Sequence, residues 1–81
     1  MNFGDALDLL KSCKKVARKG WNGRNMFIFI DNGYNCVGYE SYTGKKENFI
    51  NAHFLIKNVD GSLSTWVPSV NDCLANDWVE V

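Results

Sequence analysis

Little in this chain is equipped for chemistry. It holds one histidine, one proline and three cysteines, and no two cysteines form a Cys-x-x-Cys pair. Cys13, Cys36 and Cys73 are widely spaced, which excludes the common zinc and dithiol frameworks. They are read as buried free thiols in a reducing compartment. His53 has no carboxylate or nucleophile beside it in sequence, and is read as a surface or satisfied strand histidine. A glycine-rich phosphate loop is missing, because Gly20-x-x-Gly23 lacks the third glycine and a following Lys-Ser/Thr. Asp72 and Asp77 flank a short helical stretch, and two acids alone do not make a glycosidase. These absences argue against an enzyme, and neither a metal nor an organic cofactor is expected.

Long apolar runs are also absent. The longest is Met26 to Ile30, far short of the roughly 20 residues that span a membrane. The N-terminus, Asn2-Phe3-Gly4-Asp5, has no basic head followed by an apolar stretch, so a cytoplasmic protein is expected. Net charge of one sign is missing too: nine cations balance nine acids. That argues against a general binder of long nucleic acid. The distribution is uneven, however. Lys11, Lys14, Lys15, Arg18, Lys19 and Arg24 form a segment without an acid between Asp8 and Asp31. Such a segment suits a local anion site or a solvated basic face.

Apolar material, by contrast, is plentiful: 46% of the 81 residues are hydrophobic and 14% are aromatic. A domain of this size buries only about 60% of its unfolded surface. Self-association is therefore expected of the single domain spanning residues 1–81.

Residues 4 to 13 carry helical periodicity, with Phe3, Leu7 and Leu10 on one stripe and Ala6, Leu9 and Cys13 beside it. Asn2 is a candidate cap, and the acids at the start and lysines at the end suit the helix dipole. Residues 15–21 read as a strand, with Val16 and Arg18 on one face and Ala17, Lys19 and Trp21 on the other. Residues 25–31 form a strand whose unbroken apolar run implies burial on both faces, by core on one side and a subunit on the other. A short strand at 36–39 and a polar loop with some helix at 41–51 follow. Residues 52–59 alternate, Asp60-Gly61 signals a hairpin, and 62–67 return. Ser69 with Asp72 opens a short helix to about Ala75, and residues 78–81 close as a strand. The expected fold is α+β: an antiparallel sheet of about five strands, a longer N-terminal helix and a short C-terminal helix.

Two turns carry the functional signal. Trp21 lies beside Asn22-Gly23, a pair that tolerates positive φ and marks a tight bend. The bend places an aromatic face beside cations and bare amides, where a base can stack and a phosphate can be held. Trp66-Val67-Pro68-Ser69 leads into the second helix, whose N–H groups attract anions. Ser69 and Asp72 can accept hydrogen bonds there if capping does not consume them. The simpler alternative packs both tryptophans into a core or a subunit interface. Trp78 reads as core.

Residues 1–7, the block from Lys15 to Gly23, and the tail Trp66-Val67-Pro68-Ser69 with Asp72, Leu74-Ala75 and Asp77-Trp78 resemble a small phage and prophage domain family. Its members include the second type of Thoeris anti-defence protein. The resemblance implies a sponge, not an enzyme. Such proteins bind the cyclic ADP-ribose-type signal (glyco-cyclic ADP-ribose) made by TIR-domain immune enzymes and hold it without cleavage. It further implies a homotetramer in the cytoplasm of the infected bacterium, with sites between subunits. Some members hold cyclic oligonucleotides at a separate site. By position, Trp21, Asn22, Gly23, Trp66, Pro68, Ser69 and Asp72 are the implied ligand-binding residues. Arg24 and Met26 are added from chemistry alone. The competing function is a protein-interaction module that occludes a host protein through exposed Trp21 and Trp66.

Overall fold

The computed structural model describes residues 1–21, 25–31 and 52–81. Their elements run α1 (Phe3–Lys11), β1 (Val16–Arg18), β2 (Phe27–Asp31), β3 (His53–Lys57), β4 (Leu63–Thr65), α2 (Val70–Leu74) and β5 (Trp78–Glu80). The strands form one antiparallel sheet in the order β4-β3-β2-β1-β5. This is the expected α+β architecture. The strand expected at 36–39 and the loop at 41–51 lie outside the described residues.

The ends of α1 follow from local chemistry. The Asn2 side chain accepts from the Asp5 N–H at 2.8 Å, satisfying one of the free first-turn donors. At the other end Cys13 takes a left-handed φ of 66°. Its N–H reaches Leu10 O at 3.1 Å, and Lys14 N–H reaches Leu9 O at 3.0 Å. That pair of bonds is a Schellman stop, which glycine usually occupies. The helix thus ends at Lys11, two residues before its apolar periodicity does.

Alternation divides the sheet into two faces. Val16, Ile28 and Trp78 join Ala6 and Leu10 of α1 in one buried cluster, with Ile30, Phe54 and Ile56 packed beside it. Ala17, Phe27, Phe29 and Leu55 form a second cluster on the opposite face. β2 is accordingly buried on both sides within one chain, so its apolar run does not require a subunit partner. The β3–β4 connection is closed by Asn58 N–H bonding Ser62 O at 2.8 Å, which leaves Val59, Asp60 and Gly61 in the loop, not the two-residue turn that Asp60-Gly61 suggests. Gly61 takes a left-handed φ of 89° and its N–H bonds Asn58 O at 3.0 Å.

The cysteines depart from expectation. Cys73 is free but exposed. Cys13 is also exposed and is disulfide-bonded. Cys36 lies outside the described residues. Among the described residues, no helix is long and apolar enough to cross a membrane, and no group of His, Cys, Asp and Glu forms a metal cluster.

Candidate functional site

The two tryptophan turns meet. β1 ends at Arg18, and the chain folds back so that the Trp21 N–H bonds Arg18 O at 3.2 Å. Trp21 therefore leaves the strand's alternation, which had placed it on the face opposite Arg18. It packs half-buried against both hydrophobic clusters. Trp66 follows β4, where its N–H bonds Phe54 O at 3.1 Å. The two indoles stand edge to face, centroids 6.3 Å apart at 65°. Trp78 touches Trp21 at 5.6 Å and Trp66 at 6.2 Å, both nearly perpendicular. Phe54 against Trp66 and Phe3 against Trp78 extend the cluster.

Edge-to-face packing changes the picture of two opposing walls. Rings in this geometry touch each other, so no base-sized slot separates Trp21 from Trp66. Together they make one wall, half in the core and half at the surface. The structural alternative is partly right: Trp66 and Trp21 both contribute to packing, while Trp78 is wholly buried.

Polar groups beside this wall are occupied. α2 begins with a full capping box. Asp72 N–H donates to the Ser69 hydroxyl at 3.1 Å, and Ser69 N–H donates to Asp72 Oδ2 at 2.9 Å. Asp72 Oδ1 accepts from Arg18 Nη1 at 2.9 Å. Capping and pairing thus engage both carboxylate oxygens of Asp72, one hydrogen bond on each. Ser69 stays exposed and keeps a hydroxyl hydrogen. Pro68 is half-buried between Val67 and Ser69, and Met26 is half-buried immediately before β2. Asn22, Gly23 and Arg24 lie outside the described residues.

Arg18 is the largest departure from the sequence reading. It counted as one of six free cations, yet it bridges Asp72 and, through Nε at 2.9 Å, Asp77 Oδ1. Hydrogen bonds to Asp77 and then Asp72 raise its pKa above the ordinary guanidinium value. The same bond from Arg18 holds the Asp77 carboxyl below the usual range against a smaller opposing effect of burial. For Asp72, burial pushes the carboxyl up, but hydrogen bonds from Ser69 and Arg18 outweigh it and the net shift is downward. Nothing in sequence pairs residue 18 with 72 or 77. The partnership follows from β1 lying beside β5, with Arg18 opposite Trp78.

These shifts set a pH response. Folded-state carboxyl pKa values below the unfolded value of about 3.9 mean that the native state binds fewer protons. Their stabilisation is complete well above that value and is lost as pH falls through the lowered folded pKa. Thermal unfolding followed from pH 7 downward should therefore steepen below about pH 4. Asp77→Asn should flatten that limb, and an identical limb in the variant would contradict the assignment.

The sequence also missed a carboxylate partner for His53. β2–β3 register sets Asp31 opposite it, with Nε2 3.9 Å from a carboxylate oxygen and Asp31 only 3% exposed. Asp31 and His53 share the sheet face opposite the one that Trp66 packs on. Asp31 and His53 are 22 positions apart in sequence, a separation that local patterning does not read.

Comparison with known proteins places the whole chain in a family. A Bacillus phage SP01 protein described as "Thoeris anti-defense 2" is 42% identical over 86 aligned residues, covering 96% of this chain and 91% of that protein. The family described as the Thoeris anti-defense 2-like domain matches residues 1–81, and the chain belongs to it.

Proposed function

We propose that this protein counters Thoeris defence in an infected bacterium by sequestering its cyclic ADP-ribose-type signal without cleaving it. The observation that carries this reading is the meeting of Trp21 and Trp66, brought from separate turns to one half-exposed aromatic wall beside the α2 N-terminus. Family membership and the name of the phage relative support the biological setting. An indole wall binds a purine by stacking, and the exposed Lys19 side chain supplies a cation for pyrophosphate. Asn22, Gly23 and Arg24 belong to the proposed site, together with Trp21, Met26, Trp66, Pro68 and Ser69. Asp72 contributes by holding the turn in shape.

Binding energetics favour a site completed by a second copy. Stoichiometric capture needs dissociation constants near the nanomolar range, about −12 kcal/mol. One stacked base contributes about 1–3 kcal/mol. One wall therefore supplies a minority of the affinity, and enclosure must supply the remainder. Val67, Val70 and Leu74 are 83%, 74% and 75% exposed, and all lie at or just before α2, beside the tryptophan wall. Covering them with another subunit would enclose the ligand between chains, as in a homotetramer. Leu74→Glu should dissociate the oligomer in size-exclusion chromatography with light scattering while barely lowering the melting temperature. A variant that remains fully assembled would remove this face from the interface.

The test of function is capture and recovery. Protein is incubated with glyco-cyclic ADP-ribose, freed of unbound ligand and denatured. Intact nucleotide in the released fraction is the expected result. No capture at micromolar protein, or a degraded product, would overturn the proposal. Cyclic oligonucleotides in parallel test for a second ligand class. The same exposed Val67–Leu74 strip also suits a module that occludes a host protein. That reading predicts a stable host complex and no bound nucleotide.

A further inference from the structure

Arg18 sits where three tryptophans are held. Its Nε and Nη1 donate to Asp77 and Asp72, each at 2.9 Å. Asp77 holds the turn leading to Trp21 twice: Oδ2 accepts from Gly20 N–H at 3.3 Å, and its backbone carbonyl accepts from Lys19 N–H at 3.1 Å. Asp72 anchors the cap that follows Trp66, and its carbonyl accepts from Trp78 Nε1 at 2.9 Å. We propose that Arg18 is the positioning residue of the Trp21–Trp66 wall, tying the turn before one indole to the helix start after the other without itself meeting the ligand. The inference rests on the signal-binding reading of that wall.

Two physical points favour positioning over direct contact. The guanidinium and its two carboxylates sum to one negative charge, which repels an approaching phosphate instead of attracting it. A planar fork can also bridge two carboxylates in fixed directions, whereas an ammonium is a point charge on a flexible stem. Without the fork, Asp72 and Asp77 face each other's charge, and the Trp21 turn loses its tie to α2.

The test compares Arg18→Lys and Arg18→Gln with Lys19→Gln, which removes a neighbouring cation but no bond of the clip. Readouts are the near-ultraviolet dichroism of the tryptophan cluster, thermal unfolding, and glyco-cyclic ADP-ribose binding at low and high salt. Arg18→Lys should remain folded, lose much of the tryptophan dichroism, and bind on the order of tenfold more weakly with unchanged salt dependence. A weaker salt dependence, or lost binding with the tryptophan signature intact, would overturn the proposal and make Arg18 a ligand contact. If Arg18→Gln does not fold, the triple variant adding Asp72→Asn and Asp77→Asn relieves the unpaired charges. Refolding with altered dichroism and weak capture supports positioning, and full capture overturns it. Failure of the wild type to capture nucleotide would defeat the signal-binding reading instead. The dichroism comparison would still decide whether Arg18 orders the tryptophans.

Discussion

Trp21→Ala should abolish stoichiometric capture of the signal while leaving the chain folded. The substitution removes a stacking face worth about 1–3 kcal/mol. It also removes edge contacts to Trp66 and Trp78, each worth about 0.5–1.5 kcal/mol beyond buried area, which hold the surviving wall in shape. Together these predict a loss of affinity of about 100-fold or more, measurable by calorimetry. Trp21 is half-buried, so its stability cost should fall below the roughly 3–5 kcal/mol of a fully buried tryptophan. Trp21→Phe, which keeps a smaller aromatic face, should retain part of the affinity. Unchanged binding in Trp21→Ala would remove this residue from the site. If the proposed oligomer forms and Trp21→Ala dissociates it, Trp21 serves subunit packing.

Trp78→Ala should have the largest effect on stability. Trp78 is wholly buried, contacts Phe3, Trp21 and Trp66, and donates its indole N–H to the Asp72 carbonyl. Truncation costs about 3–5 kcal/mol through lost burial and cavity formation. A domain this small has little more than that in reserve. The variant is expected to be largely unfolded at 37 °C, seen as lost thermal cooperativity. Ligand at about 100 times its dissociation constant adds about 2.7 kcal/mol and should partly rescue the fold if binding survives. Trp78→Phe keeps most of the volume but leaves the Asp72 carbonyl without its donor, so a smaller loss is expected. A melting temperature near the wild type for Trp78→Ala would contradict the central place of this ring.

Much of the fold was legible because local rules carry it. Asn2 and Ser69 cap where their side chains reach free N–H groups three residues on. Alternation in β3 separates Phe54 and Ile56 from Leu55 correctly between the two faces. Element ends were less legible. α1 stops early because Cys13 adopts a left-handed conformation that its apolar spacing does not announce. Trp21 escapes its strand because Asp77, distant in sequence, captures the preceding turn through Gly20.

The candidate site was legible as two aromatic turns, but their chemistry was not. Ser69 and Asp72 look like free acceptors in sequence and are occupied by their own capping box and by Arg18. Arg18 looks like a free cation and is the clasp between two carboxylates.

The sequence by itself determined the inventory: an α+β chain, neutral overall, rich in tryptophan and poor in catalytic groups, with Trp21 and Trp66 each at a turn. Periodicity, caps and turn residues act over a few positions, so they survive without knowledge of the fold. Tertiary structure alone decided that the two turns meet, that they meet edge to face, and that Arg18 spends its charge internally. The Arg18 clasp arises from β1 pairing with β5 across some 60 residues of chain, and Trp66 is delivered to Trp21 by β4 pairing with β3. Contacts at that separation are selected by the packing of the whole core, so no local pattern announces them.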